Sequence, residues 1–420
     1  MHSKDEEKLL KHRFSSCFDD DLRRAYADSE WTGTMAYRSW KHVLRSTGGN
    51  ESHTSRLYKE AVGRVEKKAR AVYVEEDTTS KDEFVQIMIE QGCFILQVVL
   101  CSLGGPKLLG YPPNDPFFGE NRWNKEQIRR WVTSIFSVKK QIPLVVLKVL
   151  MKQSFFQNVL KQGNWKRHND LARMALYDFL VEPMLDNPVK NQGNSKRRFL
   201  GFFDKRSHWH QEHPTTPLHA LWLLLAGPGS RGANHVQADD QGDPYKNFTT
   251  VRSAMELQAA GITFRSEEGM GTRQIKFEER MLEAHLYLPC IYMEPDTMAL
   301  FQSLIFYEAA VDLERNRCEV SAYISFMKDL IRSRDDVKVL VTQGIIDTDP
   351  EYEELLPYIL SKLNPLEVGN SHNLVSIRRQ IRRYVRPSIR AKMVNLVVIG
   401  VFLTLVQTIY TALSYHHPHV

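Results

Sequence analysis

No acid, lysine or arginine interrupts the stretch from Met393 to Tyr415. Within it, Val394–Ser414 reads VNLVVIGVFLTLVQTIYTALS. Roughly 20 apolar residues in a helix cross a bilayer core, so the expectation is one C-terminal transmembrane helix over 393–415 and a short tail over 416–420. Other absences bound the class. The five cysteines, Cys17, Cys93, Cys101, Cys290 and Cys318, are odd in number, scattered and without a CxxC pair. That pattern excludes a disulfide scaffold and fits reduced thiols buried as small hydrophobes. The opening MHSKDEEKLLKHRF has no apolar h-region, which excludes a secretory signal. No internal repeat appears, which excludes solenoids and propellers.

A basic body is missing as well. The collar before the apolar run holds Arg378, Arg379, Arg382, Arg383, Arg386, Arg390 and Lys392 with no acid among them. These seven cations more than account for the net charge of +6, so the remainder is near neutral. A near-neutral body argues against nucleic acid as a ligand. The collar instead suits an anionic lipid surface, where each cation gains ~1 kcal/mol. Cations on the N-terminal side of the span predict a cytosolic body. The expectation is a tail-anchored, single-pass protein of the plasma membrane or endoplasmic reticulum. Two glycosylation sequons, Asn50-Glu-Ser and Asn247-Phe-Thr, matter only if the body is luminal.

What is present is mostly helical pattern. Residues 1–56 read as a variable, partly disordered segment. A helical domain is expected over 57–370, with polar loops near 186–217 and 227–248, followed by the basic collar over 371–392. Amphipathic spacing starts at Val62, Val65, Ala69 and Val72. The run Phe84–Leu103 is apolar but carries Gln86, Glu90, Gln91 and Gln97, which favours a buried core helix over a second span. Ser80 or Asp82 is placed to cap it. Pro143 should start or kink a helix, and 169–185 reads as another. Gly261 is a natural helix stop. GITFR, QIKFEE and the extended piece beyond Met281 predict a small antiparallel sheet within about 261–294. Helices resume from Thr297. The fold class is mainly α, with that small sheet and the C-terminal span.

No catalytic, cofactor-binding or metal-ligating residue emerges. His208, His210 and His213, with His219 beyond, are the nearest approach to a metal site. Zinc needs about four ligands of fixed geometry, and these sit in a Pro-bounded polar linker. His416, His417 and His419 read as a polar cap on the anchor. Gly227-Pro-Gly-Ser-Arg-Gly232 lacks the Lys-Ser/Thr of a phosphate loop, having Ala233-Asn234 there. Pro228 stands where a nucleophile elbow around Ser230 needs glycine. Asp335-Asp336 and Asp347/Asp349 read as caps and solvated acids. Glu256 and Glu308 lie on apolar helices, where a lone acid meets a basic partner or backbone amides. Lys196-Arg197-Arg198 and Lys205-Arg206 read as a solvated loop.

ARAVYVEE, EFVQIMIEQGCFILQVVL, KKQIPLVVLKVL, PLHALWLLL, SAMELQAAGITF, LYLPCIYMEPDTMALFQSLIFYEAA and SAYISFMKDLIRSRDDVKVLVTQGII follow one another in this order. Together with the span containing Gln407-Thr408-Ile409-Tyr410 they resemble the plant family catalogued as domain of unknown function 247, over about residues 57–415. Residues 1–56 lack the family's Pro-Tyr-His-His-Gly-type opening. Two acids usual in the family are replaced, at Gln91 and Lys139. The resemblance implies a plant-specific, mostly helical protein held by its C-terminal helix, with no established biochemical activity. Some members are associated genetically with reproductive recognition, such as pollen self-incompatibility in grasses. It therefore implies action through an unidentified protein partner. The alternative is a membrane-tethered enzyme with an undetected site. No cofactor is implied.

Overall fold

A computed structural model describes residues 29–73, 79–119, 135, 141–162, 214–227, 251–267, 270–280, 283–293, 295–311, 318–366, 372–385 and 400–411. The expected helix at 169–185, the His208–His213 cluster, both lysine-arginine patches and Lys139 lie outside these residues.

The N-terminal half is built around one helix. Helices α1 (Ser29–Ser46), α2 (Glu51–Gly63) and α3 (Glu66–Arg70) precede α4 (Lys81–Gly104), and α5 (Leu144–Met151) and α6 (Ser154–Gln162) follow. Asn50 caps α2 by accepting from the Ser52 amide, and Ser80 caps α4 by accepting from the Glu83 amide. Asp82 and Glu83 lie in the first turn of α4, where acids oppose the helix dipole. Pro143 stands immediately before α5, as its fixed φ suits a helix start.

Helix α4 is long and apolar enough to cross a membrane, yet most of it is buried among α1, α2 and α5. Its polar residues explain why it belongs inside. Gln97 is fully buried, donates to the carbonyls of Ser39 and Cys93, and accepts from the Tyr111 hydroxyl. Gln86 donates to Glu90 at 2.6 Å. Burial pushes the Cys93 and Cys101 thiols well up, which keeps them protonated.

The boundary at residue 57 is corrected. Met35, Ala36, Trp40, Val43 and Leu44 of α1 are all buried, and Trp40 packs on Tyr58 with ring centroids 4.9 Å apart. Helix α1 from Met35 onward is part of the packed body.

The second half adds α7 (Pro217–Ala226), α8 (Ala254–Ala259), strands β1 (Ile262–Arg265), β2 (Lys276–Glu279), β3 (Ala284–Tyr287) and β4 (Ile291–Tyr292). Then come α9 (Pro295–Val311), α10 (Glu319–Leu330), α11 (Arg334–Thr342), β5 (Ile346–Asp347), α12 (Leu356–Lys362) and α13 (His372–Val385). The body is mainly helical with a small sheet, and its apolar residues form one contiguous core.

The expected antiparallel sheet is corrected. The order is β1-β3-β2, with β2 antiparallel to β3 but β1 parallel to β3. A second, parallel pair joins β4 to β5. The link between β1 and β2 is diverted, so the two cannot form a hairpin. It carries a 3₁₀ turn at Thr272–Gln274 that presses against the end of α7. There Gly227 (φ +76°) and Gly271 meet backbone to backbone. A Cβ on Gly271 would lie 2.5 Å from the Cα of Gly227 and 2.7 Å from the Ala226 carbonyl carbon. Gly227 thus ends α7 and admits the turn, a packing role rather than a phosphate-loop one. Gly271→Ala is expected to cost about 3 kcal/mol, because backbone cannot yield as a side chain can. Denaturant unfolding of the full chain in detergent checks it, and an unchanged midpoint would contradict the close approach.

The last helix described is α14, Gly400–Thr411. Its twelve residues are fewer than a bilayer crossing needs. Thus the expected 393–415 helix is seen only over this part, and 393–399 and 412–415 lie outside the described residues.

Candidate functional site

The sequence places its one site assignment on the basic collar, and the structure divides that collar into parts. Residues 372–385 form α13, an amphipathic helix. Leu374, Ile377, Ile381 and Tyr384 recur at helical spacing and are buried. They pack against β2 and α10. The Tyr384 ring meets Phe277 edge-on at 5.6 Å, and its hydroxyl donates to the Gly261 carbonyl at 3.4 Å. The apolar face of α13 is thus spent on the body and does not face lipid.

Arg378 lies within that buried arc. Its side chain is 11% exposed and is ion-paired with Asp329, itself 15% exposed. The guanidinium also lies over the Phe326 ring at 5.1 Å. Asp329 accepts in addition from the Val251 amide at 3.3 Å, and Arg332 donates to the Val251 carbonyl at 2.5 Å. The grouping of Arg378 with the lipid-facing cations is corrected here: it is a seat for α13. Arg379 and Arg383 point outward and Arg382 is half-buried. Arg386, Arg390 and Lys392 lie outside the described residues.

The described part of the span has the opposite character. Every residue of α14 is exposed, including Phe402 at 66% and Tyr410 at 72%. Its threonines turn inward on their own backbone. Thr404 donates to the Val401 carbonyl at 2.8 Å, Thr408 to Thr404 at 2.7 Å and Thr411 to Gln407 at 2.8 Å. Hydroxyls satisfied in this way can enter an apolar medium without an orphaned donor.

The acids of the sequence reading hold structure together. Glu308 is fully buried and accepts from the Trp222 indole at 2.8 Å, the amides of Val320 (2.7 Å) and Ser321 (2.9 Å), and the Ser321 hydroxyl (2.7 Å). One carboxylate thereby caps α10 from α9 and ties down α7. Arg273 completes the joint, 5.0 Å over Trp222 and 3.3 Å from Glu319. Glu256 forms a capping box with Ser253, and Asp336 one with Ser333. Asp336 also accepts from the amides of Met255 and Arg332. Burial opposes its ionisation, but hydrogen bonds from Ser253, Met255, Ser333 and Arg332 outweigh that and hold its carboxyl below the usual range.

His219 is held in the fold as well: its Nδ1 lies 3.2 Å from the Thr215 amide and its ring stacks on Tyr307 with centroids 5.7 Å apart. No group of three metal-ligating side chains occurs among the described residues. An open surface cleft of about 510 Å³ lies between α2 and the start of α4, lined by Lys59, Glu60, Arg64, Lys81, Asp82 and Val85. Its charges are of both signs. Asp329 and Phe326 carry no local mark, since the Arg378 that each contacts is far along the chain (49 residues from Asp329), and the Trp222 donor to Glu308 lies 86 residues away.

A mainly helical body with a small mixed sheet, closed by a seated basic helix, defines the class of chain at hand. The chain belongs to a family of plant proteins of unknown function, domain of unknown function 247, whose pattern matches residues 35–415. The match starts ahead of residue 57, in agreement with the packing of α1. No match is found among curated proteins or among solved structures.

Proposed function

We propose that the chain is a membrane-anchored plant protein that acts by protein–protein interaction in recognition or signalling. Residues 393–415 form the anchor and the body faces the cytosol. The observation that carries the membrane part is α14, an uncharged helix exposed on every side. Free water would have to hydrate that whole apolar surface, whereas hydrocarbon removes it at roughly 25 cal/mol per Å². The chain between α13 and Met393 is seven residues, 386–392. At ~3.5 Å per residue it reaches about 25 Å at most, so the seated helix keeps the body against the bilayer. Arg379 and Arg383 then present cations to anionic headgroups. The interaction part rests on the family likeness and on how the acids of the body are used. Glu308, Glu256 and Asp336 are committed to caps and joints rather than converging on a cleft.

The orientation is tested with the sequons already present. With a cytosolic body, the full chain expressed in plant cells carries no glycan at Asn50 or Asn247. Arg386→Gln/Arg390→Gln/Lys392→Gln weakens the positive flank and leaves the seat of α13 intact. It is expected to send a measurable fraction of bodies into the lumen, read as glycan addition at Asn247. A glycosylated wild-type chain would overturn the orientation.

A further inference from the structure

Along α14, Gly400, Thr404, Gln407 and Thr411 fall on one face, and Phe402, Leu405, Val406 and Ile409 occupy the other sides. The threonine hydroxyls of this face are satisfied by the helix's own carbonyls. Among the described residues the Gln407 side-chain amide has no hydrogen-bond partner, while its backbone carbonyl accepts from Thr411. It sits three residues from the centre of Val394–Ser414. At that depth neither headgroups nor water are within reach of its two N–H donors and its carbonyl. An amide left bare in hydrocarbon is costly.

We infer that the Gln407 amide pairs with Gln407 of a second copy of this chain, so that the anchor is a parallel dimer helix. This inference rests on the span proposed above. A second copy is the occupant the geometry favours, because it brings a complementary amide to the same depth by symmetry. Each Gln407 donates to the other's carbonyl and accepts in return. Gly400, Thr404 and Thr411 leave room on the same face for two backbones to approach, as small residues do in membrane helix pairs. The collar cations of the two copies repel, and anionic lipid between them offsets this.

The test reconstitutes the full chain, labelled at its N-terminus, into vesicles of 70% phosphatidylcholine and 30% phosphatidylserine. Photobleaching steps per spot are counted across a lipid-dilution series, and alkaline extraction is run on the same vesicles. Wild type is expected to give two-step spots that thin out on dilution. Gln407→Leu is expected to weaken pairing about three- to twenty-fold and to resist extraction fully. Gln407→Asn, which keeps the amide, is expected to retain pairing. Single-step spots at every dilution in wild type, or equal pairing in Gln407→Leu, would overturn the inference while leaving the anchor intact. Release of wild type by alkali would instead overturn the anchor itself, and the pairing with it.

Discussion

Glu308→Ala is expected to lower the stability of the full chain by about 4 kcal/mol, a large effect for one residue. The reason is the number of donors left behind. The Trp222 indole, the Val320 and Ser321 amides and the Ser321 hydroxyl all donate to this one buried carboxylate. Each buried donor without an acceptor costs ~1–3 kcal/mol, moderated where relaxation finds a new partner. Trp222→Phe removes one donor and leaves the carboxylate served by the rest, so ~1 kcal/mol is expected. Titration adds a signature. Burial raises the Glu308 pKa, against the lowering effect of its four donors. The folded state therefore holds the proton more tightly than the unfolded chain does. That contribution is complete below the unfolded glutamate pKa, about 4.3, and is lost as pH rises through the raised folded value. Wild-type stability should therefore fall with rising pH relative to Glu308→Gln, which cannot titrate. Denaturant midpoints across that range measure this, and parallel curves would contradict it.

Asp329→Ala is expected to cost about 3–5 kcal/mol locally, because it strands the buried Arg378 guanidinium. The effect should concentrate on α13 rather than on the whole body. Freed from its seat, α13 unfolds locally and its backbone at Arg379, Arg382 and Arg383 becomes cleavable by trypsin, so cleavage there should precede global unfolding. Asp329→Leu/Arg378→Met, which removes both charges, is expected to recover most of the loss. Early cleavage in the double variant equal to that of Asp329→Ala would show that the ion pair is not what fixes the helix.

Local signals were legible in the residues themselves. Ser80, Ser253 with Glu256, and Ser333 with Asp336 cap helices three residues away, so sequence spacing alone marks them. Gly261, at φ +84°, follows α8 as a helix stop should. The strand positions were also readable, but their pairing was not. β1 pairs with β3 rather than β2, and the link between β1 and β2 packs at Gly271 against Gly227, a contact across 44 residues with no local mark. The break between α2 and α3 divided an apparently continuous helical pattern at residues 64–65. Arg378 was misplaced because counting cations ignores helical phase. Four residues after Leu374 and three before Ile381, it falls in the buried arc, and the spacing of Leu374, Ile377, Ile381 and Tyr384 is the signal that reveals it. The same spacing in Met35, Ala36, Trp40, Val43 and Leu44 marks α1 as core, hidden behind the charged run that precedes it. Glu308 was recognisable as an acid on an apolar helix. Its partners came from α7 and α10, which only the fold brings together.

Protease treatment of sealed vesicles whose cytosolic face is outward and which bear the full chain, paired with alkaline extraction, bears most directly on the anchor. A body held at the cytosolic face by 393–415 gives complete digestion of the N-terminal epitope, a small protected fragment that contains Gln407-Thr408-Ile409-Tyr410, and no release by alkali. A full-length chain recovered in the alkaline supernatant, or one shielded from protease until detergent is added, would contradict it.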